Sequence, residues 1–357
     1  MIASLALLSV LGCGPSLDEE PEPEQALGTV DSALTTCGTS CPNGYYATGS
    51  GPNYACGNAF GNTATSCNPI TGASLAACGT YCPNGYYATG SGSNSACGTA
   101  FGNTATSCKA TSGSSLTACG TYCPNGYYAT GSGSNYACGT AFGNTATSCK
   151  TIEGASLTTC GKYCPLEYYA SSSGFNYACG DAFGNTATAC KATSGSSLTT
   201  CGTYCPNGYY ATGSGSNSAC GTAFGNTATS CKTIEGASLT TCGTYCPLEY
   251  YASSSGSNYA CGDAFGNTAT ACKATSGSSL TTCGTYCPNG YYATGSGSNY
   301  ACGTAFGSTA TACKAIAGAS LTTCGTYCPN GYYATSSGPN YSCGNAFGNT
   351  ATSCSQL

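Results

Sequence analysis

Histidine and tryptophan are absent from the 357 residues, arginine does not occur, methionine occurs once, and only 5% of the residues are charged. Each absence removes a class of function. Without His, neither a Ser-His-Asp nor a Cys-His pair can form, and the many serines have no base to activate them. Without Arg, and with seven Lys set against twelve acids, there is no basic stripe, so nucleic acid and other polyanions are excluded as partners. No apolar run reaches the roughly 20 residues of a spanning helix. No stretch keeps a helical period either, so strands and loops are expected throughout.

What the chain has is cysteine, glycine and tyrosine: 33 Cys, 53 Gly and 29 Tyr. The string "CGTYCPNGYY" stands at Cys78, Cys119, Cys201, Cys283 and Cys324, with near copies at Cys37, Cys160 and Cys242, at a constant interval of 41 residues. Such a period is the mark of a repeat architecture. Eight repeats follow: 37–77, 78–118, 119–159, 160–200, 201–241, 242–282, 283–323 and a truncated 324–357 that is seven residues short. Each spaces its cysteines C-x3-C-x14-C-x10-C, and only Cys13 falls outside the pattern. A module of about 40 residues buries too little apolar surface to fold unaided. Its cysteines therefore read as staples and imply an oxidising compartment. The fold class expected is small, disulfide-rich, mostly β and loop, an elongated tandem array of eight 41-residue four-cysteine repeats.

The N-terminus points the same way. "MIASLALLSVLGC" has the length of a signal peptide, assigned here to 1–12. It closes on Val10-Leu11-Gly12-Cys13, which resembles the lipobox of bacterial lipoproteins. The resemblance implies lipid attachment at Cys13, a membrane anchor and, with Gly14 rather than Asp after the cysteine, passage to the outer membrane. Residues 13–36 hold Asp18, Glu19, Glu20, Glu22, Glu24 and Asp31 with no aromatic residue, the composition of a disordered acidic tether.

Within the third repeat, "SLTACGTYCPNGYYAT" alternates side chains around Pro124-Asn125-Gly126, which predicts a hairpin. Two repeats carry Leu166-Glu167 and Leu248-Glu249 in place of Asn-Gly, and a type I turn led by Pro accommodates both versions. A second hairpin is expected at Gly143-Asn144, setting Phe142 across from Thr145 and Cys138 across from Cys149.

Two pairings of the cysteines remain open. If Cys119 and Cys123 share a strand they lie about 13 Å apart, too far to bond each other. Cys119 would then pair with Cys138 and Cys123 with Cys149. The rival joins Cys119 to Cys123 and Cys138 to Cys149, through a tight turn and the second hairpin. The element "CPNGYY" resembles the Cys-Pro-x-Gly-x-Tyr element of the cysteine-rich modules of tumour-necrosis-factor and ephrin receptors. That resemblance implies an elongated stack of disulfide rungs with crossed pairing.

Four functions compete. Catalysis has no base, and the carboxylates Glu153, Glu167, Asp181, Glu235, Glu249 and Asp263 are not part of every repeat. No catalytic residue, no metal site and no cofactor is expected. Thiolate metal binding is a minor alternative, disfavoured because zinc modules use paired knuckles. Surface adhesion, to a glycan, a solid surface or another protein, would use the pairs Tyr86-Tyr87 and Tyr127-Tyr128 to stack on sugars, or the Thr faces Thr104, Thr106, Thr145 and Thr147 to meet ice or a crystal. The leading expectation is a structural stalk or coat lipoprotein whose eight repeats, at about 20 Å of strand each, reach on the order of 160 Å.

Overall fold

The computed structural model describes residues 32–357. The predicted signal peptide, Cys13 and all but the last residues of the predicted tether lie outside them. Every regular element among the described residues is a strand or a single 3-10 turn, and the strands form eight separate three-stranded antiparallel sheets. Each sheet carries two disulfides.

The third unit stands for all. Its leading strand is Ser115–Cys119, its trailing strand Tyr127–Ser134, and its central strand Thr145–Thr151. The central strand is last in sequence and lies between the other two, pairing Leu116 with Cys149 on one side and Ala129 with Cys149 on the other. The two predicted hairpins are therefore not formed. Seven residues separate Cys119 from Tyr127, too many for a tight reversal, and the trailing strand swings one strand-width away. The slot left is filled by the central strand.

The second hairpin fails for a different reason. Asn135 accepts the Ala137 amide at 3.0 Å on its side-chain oxygen and starts two successive 3-10 turns, Tyr136–Cys138 and Thr140–Phe142. Gly143 and Asn144, both at positive φ, close the second turn instead of joining two strands. Thr145 consequently faces Ser134, not Phe142, and Cys138 sits in a turn away from the sheet partner of Cys149.

At the proline turn, the Tyr127 amide donates to the Pro124 carbonyl at 3.1 Å with Gly126 at φ +85. A positive φ at the third residue belongs to type II, not type I. Where the Leu-Glu version stands, Glu167 and Glu249 are driven to φ +66 and +67, a left-handed conformation that an L-residue adopts at an energetic penalty of about 1–2 kcal/mol.

Since each sheet starts three or four residues before its first cysteine, the folding unit is out of phase with a repeat counted from that cysteine. Leu34–Cys37 is the leading strand of the first sheet, paired from Leu34 to Cys67, so residues 34–36 belong to the fold and not to the tether. At the other end the eighth sheet has all three strands, Ser320–Cys324, Tyr332–Pro339 and Thr350–Gln356. The seven positions it lacks correspond to 317–323, which elsewhere form the connector and open the next sheet.

Inside a unit the core is small. Leu116, Ala118 and Cys149 are buried together, with Cys123, Tyr127 and Tyr87 of the preceding unit packed on them. Thr147 is fully buried and donates its hydroxyl to the Gly120 carbonyl at 2.6 Å, satisfying the one polar group that the core encloses there. Between units, Ala129 of the third trailing strand packs on Cys160, Cys179 and Ala187 of the fourth unit, with Cys123 and Phe183 at the margin. Ser132 donates to the Cys179 carbonyl at 2.6 Å. The approach is so close that a Cβ on Gly180, at φ +66, would stand 2.8 Å from the Ser132 carbonyl oxygen. Only glycine fits. The Ser132 bond is repeated at each of the other junctions, by Ser50, Ser91, Ser173, Ser214, Ser255 and Ser296. The result is an elongated array in which each unit touches its neighbours through one recurring interface.

Candidate functional site

The four cysteines of a unit are its first candidate residues. The structure joins Cys119 to Cys138 with Cα atoms 5.2 Å apart, and Cys123 to Cys149 at 5.8 Å. Both distances lie inside the range a disulfide spans without strain. The first rung carries the 3-10 turn and faces the preceding unit; the second ties the proline turn to the central strand beneath Leu116. With these sulfurs bonded to one another, none is a thiolate ligand. Among the described residues no group of three or more His, Cys, Asp or Glu gathers to hold a metal ion.

The acids are dispersed and local. Asp181 and Asp263 each accept from the side-chain amide of Asn185 or Asn267, at 2.8 and 2.9 Å, fastening the second 3-10 turn. Glu167 and Glu249 stand in the proline turn described above.

The threonines proposed as a face lie on the inward side of the central strand. Thr106 and Thr147 are fully buried, bonded to the Gly79 and Gly120 carbonyls at 2.6 Å. Thr104 and Thr145 are half-buried and bond back to Gly102 and Gly143. A flat, exposed Thr surface does not exist here: residues two apart share a face of the central strand, that face is the inward one carrying Cys108 or Cys149, and only its first Thr, at the strand's start, reaches the rim.

The tyrosine pairs are likewise structural. Tyr86 and Tyr127 donate their hydroxyls to the carbonyls of Gly72 and Gly113 in the preceding connector, holding it against the sheet. Tyr87 reaches forward onto Leu116 of the next unit, and Tyr128 holds the same place one unit on; all four rings are half-buried.

The exposed rings are others. Tyr122, within Cys-Gly-Thr-Tyr-Cys, is 85% exposed, and its counterparts Tyr81, Tyr163, Tyr204, Tyr245, Tyr286 and Tyr327 are equally open. A groove of about 520 Å³ between the fourth and fifth units is walled by Tyr163 and Tyr204, with Tyr169, Thr200 and Phe224 at its base. A second of about 360 Å³ lies between Tyr204 and Tyr245. Tyr163, Tyr204 and Tyr245 thus form a row along one side, with the Tyr204 ring shared between the two grooves. The Lys162 ammonium lies 5.6 Å from the Tyr163 ring centre, over its face. A second exposed set, including Tyr136 and Tyr177, sits on the first 3-10 turn.

The sequence carries a signal for this distinction that residue type alone conceals. The exposed positions interchange Tyr and Ser, as Ser40, Ser95 and Ser218 show, whereas both members of the Tyr-Tyr pair recur in all eight units. A ring that packs cannot become serine without leaving a hole.

No family model matches the chain, and no curated protein matches it.

Proposed function

We infer that the chain is a non-catalytic, exported structural lipoprotein, a stalk or coat component anchored through Cys13 and extended by its stack of stapled units. The observation that carries this reading is the recurrence of one contact at every junction: the same serine-to-carbonyl bond joins each unit to the next. Selection that keeps an interface while multiplying the unit acts on length. Disulfide density fits an oxidising compartment, and no described helix is long and apolar enough to cross a membrane; the anchor in this reading is the lipid that the Val10 to Cys13 string would receive. A lipid-modified cysteine with several chains anchors stably. Expressed in bacteria, the wild-type protein is expected to enter the detergent phase on phase partitioning, and Cys13→Ala to stay aqueous with its array oxidised as before. Wild-type protein recovered in the aqueous phase would remove the anchor from this reading.

A second reading, adhesion, is favoured by one specific observation, the row Tyr163, Tyr204 and Tyr245 with grooves between the rings. Aromatic faces spaced along a rod suit the apolar faces of a polysaccharide, many weak contacts adding up by avidity. Retention on an insoluble polysaccharide is the measurement. Replacing the three rings one, two and three at a time with Ser, the residue that position already tolerates, should weaken retention in steps; equal retention by the triple variant sinks the reading.

A further inference from the structure

All seven junctions in the chain join unlike faces. A trailing strand on one side meets, on the other, the first disulfide and the 3-10 turn beside it. Contacts of this head-to-tail kind do not close on themselves, and propagate for as long as complementary faces are available. Each unit carries both faces, the first and eighth included. In those two units the described residues leave one face uncovered.

On the eighth unit it is the trailing strand Tyr332–Pro339. Tyr333 is 50% exposed, whereas its counterpart Tyr292, with a unit stacked on it, is 9% exposed. Ala334 is exposed where Ala293 is buried against Cys324 and Cys343. Ser337 occupies the place from which Ser296 donates to the Cys343 carbonyl at 2.5 Å. On the first unit it is the leading face. Phe60 is 54% exposed, and Cys37 is exposed while Cys78 is buried. Gly57 looks into open space, whereas a Cβ on its counterpart Gly98 would stand 2.6 Å from the Ser50 carbonyl oxygen.

Stacked repeats ordinarily need terminal units with a polar outer face. Neither of these faces carries a charged residue, and the trailing one exposes Tyr333 and Ala334 beside Thr335, Ser336 and Ser337. The few residues that set the two end units apart also occur at covered junctions. Pro339 has its counterpart in Pro52, next to Ser50, which donates to Cys97 of the second unit at 2.6 Å. Ser336 has counterparts in Ser172 and Ser254, each beside a serine bonded across a junction. Asn58 has its counterpart in Asn345 of the eighth unit, whose leading face is covered by the seventh.

We propose that the chain binds a second copy of itself end to end, residues 332–339 of one copy docking on the Cys37–Cys56 disulfide and Phe60 of the next, through an eighth repetition of the internal junction. The product is an open rod whose length is a multiple of one chain's.

Sedimentation velocity and small-angle scattering on the full chain, from micromolar to millimolar, test this directly. The longest dimension is expected to rise with concentration towards two and then more chain lengths at a constant cross-section. Ala334→Lys places a charge where the single chain has solvent, so its disulfides and melting should be unchanged while the concentration needed for growth rises at least tenfold. Detergent in the buffer, and Cys13→Ala protein measured beside the wild type, separate end-to-end growth from clustering through an anchor, so failure here leaves the stalk reading standing. A single species at every concentration overturns the proposal, and so does growth that Ala334→Lys leaves untouched. Growth that begins only after proteolytic removal of residues 1–31 assigns the leading face to that segment and overturns it for the full chain.

Discussion

Reduced under otherwise native conditions, the array loses its sheets and is cut by proteases along its whole length, while the oxidised form resists. The two rungs of a unit close loops with sequence separations of 19 and 26 residues, each contributing about 3 kcal/mol by restricting the unfolded chain. Against that stands an apolar core of one leucine, an alanine and flanking tyrosines, of which the leucine adds about 1.5–3 kcal/mol. Fixing the backbone of a whole unit opposes folding by far more than such a core can offset. Intact mass after alkylation is the check. Without reductant no cysteine of the eight units should be modified; with it all of them should be, together with a loss of protease resistance of several orders of magnitude. The pair Cys160→Ser and Cys179→Ser sharpens the expectation. That rung packs on Ala129 across a junction, so cleavage should concentrate between the third and fourth units. A reduced array that stayed resistant would show that packing, not cross-linking, holds the fold.

Excision of residues 201–282 should leave a folded, fully oxidised protein that is two units shorter. These residues differ from 119–200 at three positions only, Tyr136/Ser218, Lys162/Thr244 and Phe175/Ser257. The cut falls inside a leading strand, yet Ser197–Cys201 and Ser279–Cys283 have the same sequence, so the fused strand is unaltered. Ser173 then meets the Cys302 carbonyl, as Ser255 does at the junction it replaces. The longest dimension by small-angle scattering should fall by about a quarter, two units of eight, with the cross-section unchanged. Collapse of the shortened protein, or an unchanged length, would remove extension as the purpose of the repetition.

Much of this was legible in the sequence, and the limits are physical. The period and the cysteine spacing gave the units, the staples and the elongated array, because each is written in covalent positions. Alternation around Thr145 to Cys149 marked a strand, but alternation says which residues face the core and not which strand lies alongside. Hairpins and the observed order place the same residues inward, so local pattern could not separate them. The 3-10 turns were hidden because Asn135 caps by a side-chain bond that the string "SNYAC" does not distinguish from a loop. Among the candidate binding residues, the tyrosine pairs that the sequence singles out are not the exposed rings. Tyr127 and Tyr128 are held by a connector and a neighbouring unit, contacts that exist only once the stack has formed.

The position of the central strand bears on how such a chain reaches its fold at all. It emerges last and must enter between two strands already made. The threonine-to-glycine bond that fixes it spans 27 residues. A like strand from the following unit, 41 residues further on, would fit the same slot with nearly the same side chains. Loop closure prefers the nearer one by only about 0.8 kcal/mol, roughly a fourfold bias, and sixteen disulfides formed on a misthreaded chain would lock the error in. Fidelity must then come from order of arrival: a chain delivered from its N-terminus into an oxidising space closes each sheet before the competing strand exists. Renatured all at once from the reduced state, the same sequence faces eight interchangeable answers.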